Sequence, residues 1–279
     1  MTTTGEVGSV TGDSNGLDVD SIATLRVGIL GGFRVERAGV VVPDLAWRRR
    51  SAKRLVKVLA TKPSHAMHRE QVFEVLWPKA GVESARNSLA KALHAARHAC
   101  APERVARQPS AYIYARDDMI ALDTDHVVID ADEFQRHAQT ALRVASVSAF
   151  ETALATYRGI ILPEDLYEDW ASGRRRYLAD LNLRCLVGLA ELLESDGNYN
   201  GAIDCLDSAL QDDPTREDVH RRLMQLFRVK GALDLALRQF ETCRAQLRLH
   251  INRTPSPETT ALYEELLATV GPIAHDRAS

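Results

Sequence analysis

Short apolar segments alternate with polar residues and glycines from Leu25 onward. The segments LRVGIL, FRVERAG and VVVP are separated by Gly31-Gly32 and by Gly39. Strand-length apolar runs bounded by glycine predict β-strands joined by tight turns. The glycines of GILGG fit neither G-x-G-x-x-G nor G-x-x-x-x-G-K-[ST], and no helical pattern follows directly. We therefore predict hairpins here and no nucleotide-binding loop.

A helical period replaces the strand period in WRRRSAKRLVKVLATK. Apolar residues recur at i, i+3, i+4 and i+7 and predict one buried side, formed by Ala52, Leu55, Val56 and Leu59. The opposite side carries only cations: Arg50, Lys53, Arg54 and Lys57. No acidic residue lies between Asp44 and Glu70. We interpret these cations as phosphate contacts, the alternative being a solvated charged face.

Two more helices follow. HREQVFEVLW would bury Val72, Val75 and Leu76 and would end at Pro78. The third helix is predicted from about Val82 to Cys100. Its apolar stripe consists of Ala85, Leu89, Leu93, Ala96 and Cys100.

The outward side of the third helix carries side chains suited to reading base edges. These are Ser84, Asn87, Lys91, His94 and His98, with Arg86 and Arg97 beside them. Lys and Arg reach guanine O6 and N7, and Asn pairs with adenine. His94 and His98 have the i, i+4 spacing of metal ligands, but neither H-E-x-x-H nor a nearby third ligand accompanies them. We therefore predict base contacts by Asn87, Lys91 and His94, support from Ser84, Arg86 and Arg97, and no metal.

After the third helix, VARQ and YIYA flank Pro109-Ser110 and predict a β-hairpin, with Arg107 and Arg116 near its ends. MIAL and HVVID are predicted to be further strands. Three helices preceded by strands and followed by a hairpin are typical of a winged helix-turn-helix. In that fold the third helix would enter the major groove, and Arg107 would contact phosphate.

Beyond Asp132 the pattern is helical and repeats with a period of 34 residues. Gly197 recurs at Gly231, and four other pairs match: Ala202 and Ala236, Leu206 and Phe240, Ala209 and Cys243, and upstream Leu189 and Leu223. This period and spacing are typical of tetratricopeptide helical hairpins, which usually bind protein. Residues 132–180 would hold a degenerate further unit.

Charge is divided between these two regions. From Arg26 to Arg116 there are 18 Lys and Arg against 6 Asp and Glu, whereas residues 117–279 hold 17 against 28. A concentrated basic region suits a polyanion. The four cysteines are scattered, and no export signal or membrane span is visible. These features indicate a cytoplasmic protein, with residues 1–24 as a disordered leader and 272–279 as a flexible tail.

The segment PEDLYEDWASGRRR, residues 163–176, contains four clustered carboxylates. No nucleophile or dry pocket is suggested nearby, and no catalytic triad is recognisable in the chain. We interpret the cluster as a solvated helix start with Arg174, Arg175 and Arg176 as counter-charges. The chain is not predicted to be an enzyme, and no cofactor is predicted.

LGGFRVERAG, HREQVFEVLWP and ARNSLAKALHAAR resemble the DNA-binding domain of the Streptomyces antibiotic regulatory protein (SARP) family. The stretch from GNYNGAIDCL to ETCRAQL is similar to that family's bacterial transcriptional activator domain. The resemblance implies a response-regulator-type winged helix-turn-helix at 25–123 and an all-α tetratricopeptide-like domain at 124–271. In LHINRTPSP, Asn252 would replace a glycine in the left-handed conformation.

The resemblance also implies the function. We expect a pathway-specific activator of a biosynthetic gene cluster, such as one for an antibiotic. It would bind double-stranded promoter DNA at direct repeats as a homodimer, associate with the nucleoid, and recruit RNA polymerase holoenzyme. The alternative is a tetratricopeptide adaptor whose basic module binds RNA or an acidic protein.

Overall fold

The computed structural model describes residues 23–103 and 109–270. Within them the fold is mainly α with a small β component, so the predicted fold class is confirmed. The strands are β1 (Leu25–Gly28), β2 (Arg34–Arg37), β3 (Val40–Val41), β4 (Ala66–His68), β5 (Ile113–Arg116), β6 (Met119–Leu122) and β7 (Val127–Ile129). The helices are α1 (Arg50–Thr61), α2 (Arg69–Leu76), α3 (Val82–Cys100), α4 (Asp130–Val144), α5 (Val147–Thr156), α6 (Asp169–Ser195), α7 (Tyr199–Asp212), α8 (Glu217–Val229), α9 (Leu233–Ile251) and α10 (Pro257–Val270).

The predicted terminal segments fall almost wholly outside this part of the chain. Of the leader 1–24, only residues 23 and 24 are described, and the tail 272–279 is not. No helix among the described residues has both the length and the apolar character needed to cross a bilayer.

The first sheet has the order β3-β2-β1-β7. β1 pairs antiparallel with β2 and parallel with β7, which enters the sheet from beyond the DNA-binding region predicted at 25–123. Alternation along β1 buries Leu25 and Val27. The predicted strands are therefore present, although VVVP contributes only the two residues of β3.

The three helices of the basic region occur where the periodicity predicts them. Ala52, Leu55, Val56 and Leu59 of α1 are buried, as is every predicted stripe residue of α3. In α2, Val72 and Leu76 are buried, whereas Val75 is half-buried. α1 packs across α3, and α2 contacts both helices. This is the three-helix arrangement of a helix-turn-helix domain.

Among the described residues, a hairpin after α3 joins the YIYA and MIAL segments. β5, which contains YIYA residues, pairs with β6 through a turn at Asp117 and Asp118. Both turn residues have positive φ, 49° and 64°, a conformation that aspartate tolerates better than most residues. VARQ, and with it Arg107, lies outside the described residues. β6 also pairs with β4 in a sheet of order β4-β6-β5.

The distal helices stack as antiparallel pairs, α6 with α7 and α8 with α9. The predicted repeat positions Ala202, Leu206 and Ala209 are buried, as are Ala236, Phe240 and Cys243. Gly197 and Gly231 end the first helix of each pair with φ of 77° and 71°. Asn252 ends α9 in the left-handed conformation, φ 51°, as expected.

One hydrophobic core runs from the first sheet through α1–α3 and into α4, α5 and α6. The Asp130 carboxylate reinforces this junction by accepting hydrogen bonds from the amides of Ile29 (2.9 Å) and Leu30 (3.2 Å). Residues 158–162 also lie along this sheet, because Gly31 N donates to Ile160 O and Leu162 N to Ile29 O. The basic region and the first helices of the distal region therefore share one continuous core.

Candidate nucleic-acid interface

The outward side of α3 is open to solvent along most of its length. Ser84, Asn87, Ala90, Lys91 and His94 are exposed. Their side chains make no hydrogen bond or ion pair within residues 23–103 and 109–270. The small Ala90 leaves room for close approach of a base-pair edge.

A groove of about 680 Å³ runs beside this surface. Its walls come from Lys91, His94 and His98 of α3 and from Arg48 and Arg49, which precede α1. Arg48, Arg49 and Arg50 are exposed. None of the three side chains pairs with another group in the described part of the chain. The groove therefore places free guanidinium groups next to the candidate base-reading residues.

Two residues predicted to support base reading have other contacts. Arg86 is exposed, but its Nη1 lies 3.2 Å from Oε2 of Glu83, one turn earlier on α3. Arg97 is half-buried, and its Nε donates to the Ile113 carbonyl at 3.0 Å. This bond ties α3 to β5, so Arg97 positions the hairpin.

The predicted phosphate contacts on α1 also differ from one another in the structure. Lys57 is buried, and its ammonium group lies 2.7 Å from Glu164 Oε1 and 2.6 Å from Asp165 Oδ2. Arg54 Nη2 lies 2.6 Å from Glu168 Oε2. These pairs join α1 to the segment before α6, so both cations are engaged inside the protein rather than open to a phosphate.

Lys53 is less tightly engaged than Arg54 and Lys57, but it is not free like Arg48–Arg50. It lies 2.7 Å from Asp44 Oδ1, and its ammonium group is 5.5 Å from the centre of the Phe33 ring. The hydrogen bond from Lys53 lowers the pKa of the Asp44 carboxyl below its usual value. Asp44 is an exposed partner, so a phosphate is able to compete with it for Lys53 at little cost.

The carboxylates at 164–168 therefore have counter-charges that the sequence interpretation missed. Arg174 pairs instead with Asp132 at 2.6 Å. Arg175 donates to three backbone carbonyls, those of Ile161, Asp165 and Leu166. The interpretation of Arg174–Arg176 as counter-charges for this cluster is thus wrong. Arg54 and Lys57, more than a hundred residues earlier in the sequence, form the ion pairs with these carboxylates.

The hairpin tip carries acids where a phosphate contact would need cations. Arg69 Nη2 lies 2.7 Å from Asp118 Oδ1, and the Arg69 amide donates to the Asp118 carbonyl at 2.8 Å. The tip is thus fastened to the start of α2. Tyr114 and Arg116 of β5 are exposed, as are Asp117 in the turn and Met119 on β6.

Comparison with known proteins identifies one domain of the chain and a similar fold. Residues 129–267 match the family model of the bacterial transcriptional activator domain. The fold resembles the solved structure of Mycobacterium tuberculosis EmbR in complex with a low affinity phosphopeptide, with a TM-score of 0.70 and 18% identity. The similarity covers 88% of this chain and 66% of that one. The chain therefore carries a bacterial transcriptional activator domain at residues 129–267, as expected for a regulator of the SARP type.

The chain spans about two thirds of the EmbR chain, 66%, and the likeness at this identity concerns the fold. No curated protein sequence matches the chain. The match of residues 129–267 confirms the activator domain that the sequence predicts, and the winged helix-turn-helix precedes it as in the predicted order.

The helical periodicity did not reveal two candidate phosphate contacts. Arg48 and Arg49 precede the helical period and were left out because only residues on a helix face were assigned. The signal was present in the uninterrupted run of Arg48, Arg49 and Arg50 beside Trp47. Trp47 is buried against Phe33, with ring centroids 5.5 Å apart, and this contact fixes the start of the run.

The described residues hold no group of three or more His, Cys, Asp or Glu side chains arranged for a metal. His94 and His98 both line the cationic groove. Their position beside Lys91 and Arg48 suits contact with an anion better than with a cation, because like charges repel.

Proposed function

We propose that this protein is a sequence-specific DNA-binding activator that inserts α3 into the major groove. The supporting observation is the exposed side of α3, where Ser84, Asn87, Lys91 and His94 are unpaired within the described residues and lie beside the groove lined by Arg48 and Arg49. Asn87, Lys91 and His94 read bases, and Ser84 and Arg86 assist them. A helix carrying such residues on its free side is the usual major-groove reader of this fold.

Phosphate contact is assigned to Arg48, Arg49 and Arg50, with Lys53 as a further contact. These cations lie at the start of α1 and along the groove, so they flank α3 on the side open to solvent. Neutralising phosphates releases counterions and supplies sequence-independent affinity. The functional division follows the sequence, with DNA binding at 25–123 and activation at 124–271.

The family type supports the finer parts of the proposal. We assign the protein to pathway-specific control of a biosynthetic gene cluster, with binding at promoter direct repeats as a homodimer and recruitment of RNA polymerase holoenzyme. The tetratricopeptide-like helices would provide the protein-binding part.

Fluorescence anisotropy tests the assignment of the base-reading residues. The DNA is a promoter fragment recovered by immunoprecipitating the protein together with its bound genomic fragments. Lys91→Ala or Asn87→Ala should cost about 1–3 kcal/mol at one operator position and relax the preference there. A Lys91→Ala loss that is equal for every duplex would contradict base reading. Tighter binding to structured RNA, with no preference among DNA sequences, would favour the adaptor.

A further inference from the structure

The loop between α5 and α6, residues 157–168, is held in place from two sides. From the activator domain, the Arg175 guanidinium donates to the carbonyls of Ile161 (2.9 Å), Asp165 (3.0 Å) and Leu166 (3.1 Å). These three bonds fix the backbone on both sides of the short 3-10 helix Pro163–Asp165. We call this segment the junction loop.

From the DNA-binding domain, the junction loop is held through its acids. Lys57 pairs with Glu164 and Asp165, and Arg54 with Glu168. The Phe33 amide donates to Glu164 Oε1 at 3.1 Å. On the activator side, the Trp170 indole of α6 donates to Glu168 Oε2 at 2.9 Å. Both domains therefore determine the position of the loop.

The loop backbone is also strained at one position. Leu162 is fully buried and adopts φ 44° and ψ 67°, a left-handed conformation that is rare for leucine. Such a residue persists only where its surroundings over-determine the conformation, and strained residues cluster at ligand-binding and switch segments. The surrounding hydrogen bonds meet that condition here.

The outer side of this rigid loop presents large apolar side chains to solvent. Tyr167 is 99% exposed, Leu166 47% and Ile160 36%. Leu166 and Tyr167 are adjacent and stand between the two anchored groups of acids. Asp169, which follows them, is exposed and makes no ion pair within the described residues. The loop thus combines an apolar tip with an acidic edge.

We infer that the junction loop is a docking element for a protein partner, with Leu166 and Tyr167 entering an apolar pocket that is rimmed by Lys or Arg. Tyrosine is enriched among the residues that dominate binding energy, and a pre-ordered loop avoids the entropy of ordering on binding. Asp169, which is exposed beside the tip and makes no ion pair within the described residues, fits a cationic rim. This inference rests on the proposed function, in which that partner belongs to the RNA polymerase holoenzyme.

Biolayer interferometry of the full-length protein with purified holoenzyme from the source organism tests the inference. We expect the Leu166→Ala/Tyr167→Ala double variant to bind holoenzyme at least about tenfold more weakly than wild type. Tyr167→Phe should keep most of the affinity, because the ring is retained. Leu249→Ala is the matched control, since Leu249 is 76% exposed on α9 and should have no effect.

A second pair of measurements separates docking from DNA binding and from folding. Operator affinity and the thermal unfolding midpoint of the double variant should equal those of wild type, while promoter-dependent transcription falls. Equal holoenzyme binding by the double variant and the Leu249→Ala control would overturn the inference. So would a wild-type protein that binds its operator but not holoenzyme. Absence of any operator preference in the wild type would instead contradict the proposed function.

Discussion

The ammonium group of Lys57 on α1 lies 2.7 Å from Glu164 Oε1, across 107 residues of chain. The same ammonium group also meets Asp165 at 2.6 Å. A cation on α1, the helix that packs against α3, is thus neutralised by residues of the activator domain. Lys57 therefore joins the two regions, and the cations proposed to contact DNA are Arg48, Arg49 and Arg50.

Replacing Lys57 by Met should lower the free energy of unfolding by about 1–3 kcal/mol, because the change leaves Glu164 and Asp165 without their counter-charge. That range lies between the cost of breaking a buried pair and the small value of a surface pair, since Lys57 is only 9% exposed and its partners are 40% and 23% exposed. Urea unfolding measures it. Arg228→Met is the control, because its pair with Glu265 is open on both sides, and an equal loss in both variants would contradict the expectation.

Lowering the pH should reduce the stability of the folded protein, because protonation of Glu164 weakens its ion pair with Lys57. Burial favours a higher pKa for this carboxyl, but hydrogen bonds from Lys57 and from the Phe33 amide outweigh it and hold the pKa below the ordinary 4.5. A lowered folded-state pKa gives stability that is complete above 4.5 and is lost as the pH falls through the folded value. Between pH 6 and 3 the urea midpoint of wild type should therefore fall more than that of Glu164→Gln. Parallel curves would rule out a contribution from Glu164.

The salt dependence of DNA binding should distinguish the free arginines from the engaged lysine. Arg49→Ala should reduce the slope of log K against log salt by about one unit, because one phosphate contact is lost. Lys57→Met should leave the slope unchanged, since its ammonium group is buried against carboxylates. Anisotropy titrations between low and moderate salt measure both slopes. A flatter slope for Lys57→Met than for Arg49→Ala would reverse the assignment.

Gly31 should be far less tolerant of alanine than Gly39. Both have a left-handed φ, 71° and 78°, which costs an L-residue about 1–2 kcal/mol. A Cβ on Gly31 would also overlap the Arg158 carbonyl, whereas one on Gly39 meets nothing within 4 Å. Gly31→Ala should thus destabilise the junction by more than about 2 kcal/mol and Gly39→Ala by about 1 kcal/mol. Similar unfolding midpoints for the two variants would show that the Arg158 contact yields easily.

The linear sequence was sufficient for the helices, the repeat and the open side of α3. The apolar stripe Ala52, Leu55, Val56 and Leu59 is buried as expected, and α3 spans Val82–Cys100 as predicted. Gly197, Gly231 and Asn252 adopt the left-handed conformation that their residue types favour. These features depend on interactions within a few residues, so periodicity and turn chemistry carry them.

Only the tertiary structure decided which cations remain free. Arg50 and Lys57 look equivalent on a helical wheel, yet Arg50 is exposed while Lys57 meets Glu164 and Asp165. The reason is physical: an ion pair depends on distance in space, and the chain brings α6 back against α1 from more than a hundred residues away. Local sequence therefore determined where charge is available, and long-range packing determined what each charge binds.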